Sequence, residues 1–240
     1  MLRIGHRGAA GHAPENTLLS IQKAIELGVD MVEVDVRRTR DGELVLLHDQ
    51  RVNRTTNGGG RIGDLSFEEV RRLDAGSGQA IPSLREALEL VRGSVQLMIE
   101  LKEPGIVPEV MNLIEDCHSN QEVILASFHH PALIEVRRLQ SSARTLALID
   151  RVPVNLDFAK NAEFTHVGVN IGSVTEEFVR SVHRANYQLF VYTVNDERDI
   201  RRLSEMSVEG IISDYPERIS AHGLKAATDY TDTDGLEPVS

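Results

Sequence analysis

The chain has 240 residues, 26 basic against 37 acidic for a net charge of −11, and a single cysteine. That balance argues against binding a polyanion or docking on an anionic membrane, and Cys117 on its own excludes an internal disulfide or a thiolate metal site. No apolar run approaches the ~20 residues a membrane span needs, nothing after Met1 reads as a secretory leader, and a soluble cytoplasmic protein is expected.

Leu2 to Ile4 reads as a strand broken by Gly8 and Gly11, and Pro14-Glu15-Asn16-Thr17 supplies the chemistry of a helix start. A helix over 16–27 follows, closed by Gly28. Met31 to Val36 is β-branched and alternating, so Glu33 and Asp35 point to the same side. After a turn at Thr39 to Gly42, a short extended run at Leu44 to Leu47 delivers His48 and Asp49. Residues 51–80 lose strong periodicity, contain Gly58-Gly59-Gly60, and read as an excursion over the active face with a short helix at 66–73. A helix at 84–91 and a strand at 95–101 come next, the strand ending in Glu100 and Lys102 at the same spacing of two. Helices at 106–118, 131–139, 155–161, 175–186 and 196–204 then alternate with strands at 122–126, 144–148, 165–169, 188–193 and 209–212.

Strands centred near residues 3, 33, 97, 124, 146, 167, 190 and 211 make eight, each followed by a helix-compatible segment. The expected fold is a TIM (β/α)8 barrel with a short insertion after the second strand region, forming one domain over 1–220. An open doubly wound sheet is the alternative, although the G-x-G-x-x-G fingerprint is absent after the first strand. Residues 221–240, acidic and poor in apolar side chains, read as a disordered tail.

In such a barrel the carboxyl ends of the strands share one mouth, where His6, Arg7, Glu33, Asp35, His48, Glu100 and Lys102 would all lie. Taken singly each has an ordinary reading: a surface histidine, a solvated strand face, a strand-end salt bridge. Together, flanked by Val32, Val34, Ile99 and Leu101, they would be partly buried and would have to satisfy one another. Two carboxylates as close as Glu33 and Asp35 call for a cation, and a hard divalent ion suits oxygen ligands. His129-His130 reads as a surface helix start, His12 and His183 as non-catalytic, and Asn195 and Asp214 as helix caps, loop braces or ligand contacts.

At these residues the sequence resembles the glycerophosphodiester phosphodiesterase family over nearly the whole of 2–220. The matching motifs are His6-Arg7-Gly8 with Pro14-Glu15-Asn16-Thr17, Glu33 with Asp35, Thr39 with Asp41-Gly42, His48-Asp49, Ile81-Pro82-Ser83-Leu84, Ile99 to Lys102 and Ser127-Phe128. It departs at Tyr192, where the family commonly has tryptophan, and at Ser213, where threonine is usual. The resemblance implies a TIM barrel of lipid and glycerol metabolism that hydrolyses glycerophosphodiesters to sn-glycerol 3-phosphate and an alcohol. It also implies one divalent cation, Mg²⁺ or Ca²⁺, held by Glu33, Asp35 and Glu100. His6 and His48 would be the acid/base pair, and Arg7 and Lys102 the phosphate contacts.

The expected partner is thus a small molecule and not a nucleic acid, with the oligomeric state left open. A related alternative is a lysophospholipase D or sphingomyelinase D type activity, which would need an apolar groove that 4% aromatic residues and no tryptophan do not announce. A different class of reading is a silent barrel that only binds phosphate or metal, disfavoured because every matched catalytic position is filled. No serine, threonine or cysteine stands at a mapped catalytic position, which leaves water or the glycerol hydroxyl beside the phosphoester as nucleophile, and the effective molarity of an adjacent group favours the hydroxyl.

Overall fold

In the computed structural model, which describes residues 1–119, 122–150, 156 and 164–219, strand β1 (Leu2–Gly5) pairs in parallel with two partners. They are the next strand, β2 (Met31–Arg38), and the last, β9 (Gly210–Ser213), and this double pairing closes the sheet. Between them run β4 (Gln96–Leu101), β5 (Val123–Ser127), β6 (Arg144–Ile149), β7 (His166–Asn170) and β8 (Gln188–Tyr192), all parallel. The result is the closed eight-stranded parallel barrel expected, and the open-sheet alternative is excluded. The ninth strand, β3 (Leu44–Leu46), lies outside the barrel, antiparallel to β2, with Leu46 opposite Val36.

The described helices are α1 (Leu18–Glu26), α2 (Phe67–Arg71), α3 (Leu84–Val91), α4 (Val107–Asp116), α5 (His130–Leu139), α6 (Glu176–Arg184) and α7 (Glu197–Glu205). The expected helix at 155–161, save residue 156, and the tail at 221–240 lie outside the described residues. Local chemistry explains where the helices begin. Thr17 caps α1 through the Ser20 amide, and Ser66 with Glu69 and Ser83 with Glu86 form reciprocal capping boxes on α2 and α3. Each such cap contributes about 1 kcal/mol. Gly28 at φ 71° ends α1 in the left-handed conformation that glycine adopts without strain.

Strand alternation divides the apolar residues into two layers. Val32, Val34, Ile99 and Leu125 face outward and pack with helix residues such as Ile21, Leu88 and Val110. Ile4, Met31, Met98, Ile124, Leu146, Leu148, Phe190 and Ile212 fill the barrel interior. Cys117 belongs to the outer layer, in keeping with a packing role. The insertion between β3 and α3 has a small core of its own, in which Val52, Ile62, Val70, Ala75 and Ile81 pack on Val45 and Leu47. It is therefore a packed unit, not a bare glycine loop.

The barrel interior is full where Gly168 stands: a Cβ there would lie 2.7 Å from Leu146 Cδ2 and 2.8 Å from Leu148 Cδ2. Gly168→Ala should destabilise the protein by roughly 1–3 kcal/mol, although glycine-to-alanine changes at unstrained sites usually stabilise. Thermal melts should show a fall of several degrees, and adding Leu146→Ala should make the combined loss smaller than the sum of the two single losses. Additive losses would mean that the interior has room at Gly168.

Candidate active site

Glu33 and Asp35 are inward positions of β2, and Glu100 is inward on β4, directly opposite Asp35 in the strand register. One oxygen from each of the three carboxylates can be chosen so that all lie within 4.8 Å of one another, and all three residues are buried. Burial, then the charge of Asp35, pushes the Glu33 carboxyl up to about 8 and raises that of Glu100. Burial also opposes ionisation of Asp35, yet Lys102, Arg7, His48 and the Asn16 amide hold its pKa below the ordinary carboxylate range. Oxygen-only donors, shielded from water, fit a hard divalent cation.

Cationic side chains already lean on this cluster. Lys102 Nζ donates to Glu100 Oε1 at 2.6 Å and lies 3.4 Å from Asp35 Oδ1. Arg7 donates from Nη1 to Glu15 Oε1 at 2.7 Å, and its backbone N–H donates to Glu33 Oε2 at 2.9 Å. Arg7 Nε sits 3.2 Å from Asp35 Oδ2 but off the hydrogen-bond direction, so this buried donor has no acceptor. Arg7 adopts φ 50°, and the strained turn is held by Ser20 Oγ and the Asn16 backbone N–H, both donating to the Arg7 carbonyl. Asn16 also clasps Asp35, giving Nδ2–H to Oδ2 at 2.8 Å and accepting the Asp35 backbone N–H at 3.1 Å.

Each of the two histidines is backed by a carboxylate. His6, just past β1, bonds through Nδ1 to Asp214 Oδ1 at 2.6 Å, and Asp214 Oδ2 accepts from Asn195 Nδ2 at 2.7 Å. Asn195 Oδ1 in turn accepts from the Ser213 hydroxyl and the Asp214 backbone N–H. His48 bonds through Nδ1 to Asp49 Oδ1 at 2.7 Å. Arg54, from the insertion, binds both Asp49 and Glu15 with contacts as short as 2.7 Å. Burial disfavours charging His6, but Asp214 and Glu33 raise its pKa above the usual value; burial prevails at His48 and lowers it. No described residue engages Nε2 of either ring, which leaves that atom of each for a ligand.

All seven positions singled out in the sequence come together at one mouth. His48 gets there by the hairpin: β2 overshoots the mouth, and β3 returns antiparallel until the Leu47 N–H donates to the Asp35 carbonyl. Sequence reasoning left Asp214 and Asn195 undecided, and they are the brace behind His6. It did not single out Arg37, whose Nε and Nη2 grip the His48 carbonyl at 2.9 and 2.7 Å while its buried Nη1 lacks a hydrogen-bond acceptor. The available signal was the series 33, 35, 37, which puts Arg37 on the same face as the carboxylates. His12 pairs with Glu217, His183 with Glu209, and His130 opens α5 with Nε2 against the Leu148 carbonyl, all away from the carboxylate cluster.

Beside the carboxylates lies a small pocket, of about 30 Å³, whose apolar wall is Met98, Ala126, Phe128, Leu148, Tyr192 and Ile212. Tyr192 sets its ring edge-on to Phe128 at 6.0 Å and donates its hydroxyl to the Ile149 carbonyl at 2.8 Å. The position that departs from the family pattern thus helps line the site.

Among the described residues no helix is long and apolar enough to cross a membrane. A family model described as "Glycerophosphoryl diester phosphodiesterase family" matches residues 6–218. A glycerophosphodiester phosphodiesterase of Bacillus altitudinis is 35% identical over 90% of this chain and 95% of its own. One from Caldanaerobacter subterraneus is 34% identical over 91% and 96%. Among solved structures, an Oleispira antarctica phosphodiesterase in complex with the product sn-glycerol-3-phosphate superposes with a TM-score of 0.86 at 29% identity, covering 90% of this chain and 94% of that one. A match across the barrel from His6 to Arg218, with relatives above 30% identity along almost their full length, makes the chain a member of the glycerophosphoryl diester phosphodiesterase family.

Proposed function

We propose that residues 1–220 form one catalytic domain that hydrolyses glycerophosphodiesters to sn-glycerol 3-phosphate and an alcohol, using a divalent cation and the pair His6 and His48. The observation that carries this reading is the buried triad Glu33, Asp35 and Glu100 together with two carboxylate-backed histidines. The product complex of the Oleispira relative, in the same fold, supports the substrate class. Family membership and the lack of a long apolar helix among the described residues are compatible with the cytoplasmic location that the sequence suggested.

When bound at the triad, Mg²⁺ or Ca²⁺ supplies charge neutralisation at the phosphate oxygens. Arg7 and Lys102 add fixed positive charge, and the unsatisfied Arg7 Nε is a donor available to a phosphate oxygen. With Nδ1 of each histidine committed to a carboxylate, Nε2 is the atom that moves protons. His48, held more easily neutral, takes the proton from the glycerol hydroxyl next to the phosphoester, and that oxygen attacks phosphorus. His6, held more easily protonated, gives its proton to the departing alkoxide, and water then opens the cyclic phosphate. An adjacent hydroxyl has an effective molarity of ~10⁵–10⁸ M when oriented, beyond what bulk water offers.

Three expectations test this reading. Glu33 keeps a proton in the folded protein that the unfolded chain releases above the ordinary carboxylate range, so metal-free stability should fall as pH rises from about 4.5 toward about 8. A cation that replaces the proton should raise the melting temperature of chelator-treated protein more at pH 8 than at pH 6. No rise with either Mg²⁺ or Ca²⁺ would remove metal from the proposal.

His6→Ala and His48→Ala should each lower kcat by ~10²–10⁴-fold on glycerophosphoglycerol. The wild-type rate should decline as pH falls below the lowered His48 pKa and as it rises above the raised His6 pKa. Near wild-type kcat in either variant would make that histidine structural.

A 2-deoxy or 2-O-methyl glycerophosphodiester should bind comparably to the parent and turn over far more slowly, with rapid-quench phosphorus NMR detecting the cyclic species only from the parent. Equal kcat for parent and deoxy substrates would rule out the neighbouring hydroxyl.

A further inference from the structure

The insertion carries an arrangement that neither its own packing nor the proposed chemistry uses. Residues 50–63 contain three arginines, Arg51, Arg54 and Arg61, and no acidic residue, in a chain whose net charge is −11. Arg51 and Arg61 are partners in an antiparallel bridge. The Ile62 N–H donates to the Gln50 carbonyl at 3.0 Å and the Val52 N–H to the Gly60 carbonyl at 3.1 Å, on either side of the pair. That pattern makes the two arginines a non-hydrogen-bonded pair, the closer kind, with Cα atoms about 4.5 Å apart. Val52 and Ile62, next in sequence to each, are buried in the insertion's core, while both arginines are exposed and leave the ribbon on one side.

Like charges directly opposite each other destabilise a ribbon. Nothing in the described residues relieves this pair. Arg51 Nε is held by Asn53 Oδ1 at 3.2 Å and Arg61 Nη2 by Gln50 Oε1 at 3.1 Å, both neutral amides that orient the guanidinium groups without neutralising them. Neither lies within ion-pair distance of a carboxylate among the described residues, whereas Arg40, Arg54, Arg71 and Arg72 nearby each do. Two oriented forks with free donors match the oxygens of a phosphate group. The pair stands beside the site: Arg51 is three residues beyond His48, so their Cα atoms are at most about 11 Å apart.

We propose that Arg51 and Arg61 form a subsite for a second phosphate on the substrate's leaving alcohol. The proposal rests on the phosphodiesterase reading above and narrows it. The scissile phosphate belongs with Glu33, Asp35 and Glu100, and the product sn-glycerol 3-phosphate carries only that one phosphate. A second must therefore ride on the alcohol that departs. It is either a terminal phosphomonoester or the next diester of a short glycerol phosphate chain.

The test uses the full chain with its divalent cation and three substrates: glycerophosphoglycerol, its terminally phosphorylated derivative, and a glycerol phosphate trimer. Wild-type kcat/KM should be higher on at least one of the two-phosphate substrates than on glycerophosphoglycerol, and the better of the two identifies the source. The double variant R51S/R61S should lose about tenfold on that substrate, the scale of a charged hydrogen-bonded contact, and less than twofold on glycerophosphoglycerol. R51K/R61K, which keeps charge but not the fork, should fall between them. Equal losses on all substrates, or no loss on the two-phosphate ones, would overturn the subsite while leaving the phosphodiesterase reading intact. Failure of the wild type to hydrolyse any of the three would overturn that reading, and the subsite with it.

Discussion

Three carboxylates held within a few ångströms of each other and away from water are the constraint around which the mouth of this barrel is built. Strand geometry alone forces them together: side chains two apart on β2 share a face, and the parallel register sets Glu100 across from Asp35. Left to themselves they would resist ionisation, and Glu33 and Glu100 do. Asp35, at 1% exposure, stays ionised because Lys102, Arg7 and Asn16 all converge on it. The strained backbone of Arg7 fits the same logic, since its turn is what aims the Arg7 N–H at Glu33.

Charge alternates outward from that centre. Asp35 leads to Arg7, Arg7 to Glu15, Glu15 to Arg54 and Arg54 to Asp49, which hydrogen-bonds the His48 ring. Exposed links of such a chain contribute little stability each, because solvent screens them. Their effect is geometric: Arg54 reaches two carboxylates that belong to different segments, and so fixes the insertion to the α1 entry loop with His48 between. Arg37 grips the same segment from below through the His48 carbonyl. The packed core of the insertion gives this scaffold a rigid base.

Much of this was legible in the sequence because it follows from short periods. The eight barrel strands emerge where the alternating and β-branched runs lie, and the spacing of Glu33 with Asp35 and of Glu100 with Lys102 places four of the seven candidate residues without reference to any partner. Arg37 extends that spacing by one step and was legible in principle. Arg54 was not, since no period governs an irregular insertion and its partners are 5 and 39 residues away. The pairing of Arg51 with Arg61 likewise depends on a bridge register that local pattern does not fix.

Asp214 shows the deeper reason why part of a site escapes local reading. It stands 208 residues from His6, and the two meet only because β1 lies beside β9. In an open doubly wound sheet the first and last strands do not both flank one another and the second strand, so His6 could face Glu33 or Asp214 but not both. Barrel closure supplies both at once: the Gly8 N–H donates to the Glu33 carbonyl on one side, and the His6 N–H to the Ser213 carbonyl on the other. The topology that stabilises the fold is thus also what sets the acidic cluster on one side of His6 and its carboxylate brace on the other. A change that loosens the β1–β9 seam would separate His6 from Asp214 before it disturbed the triad, whose carboxylates all come from β2 and β4.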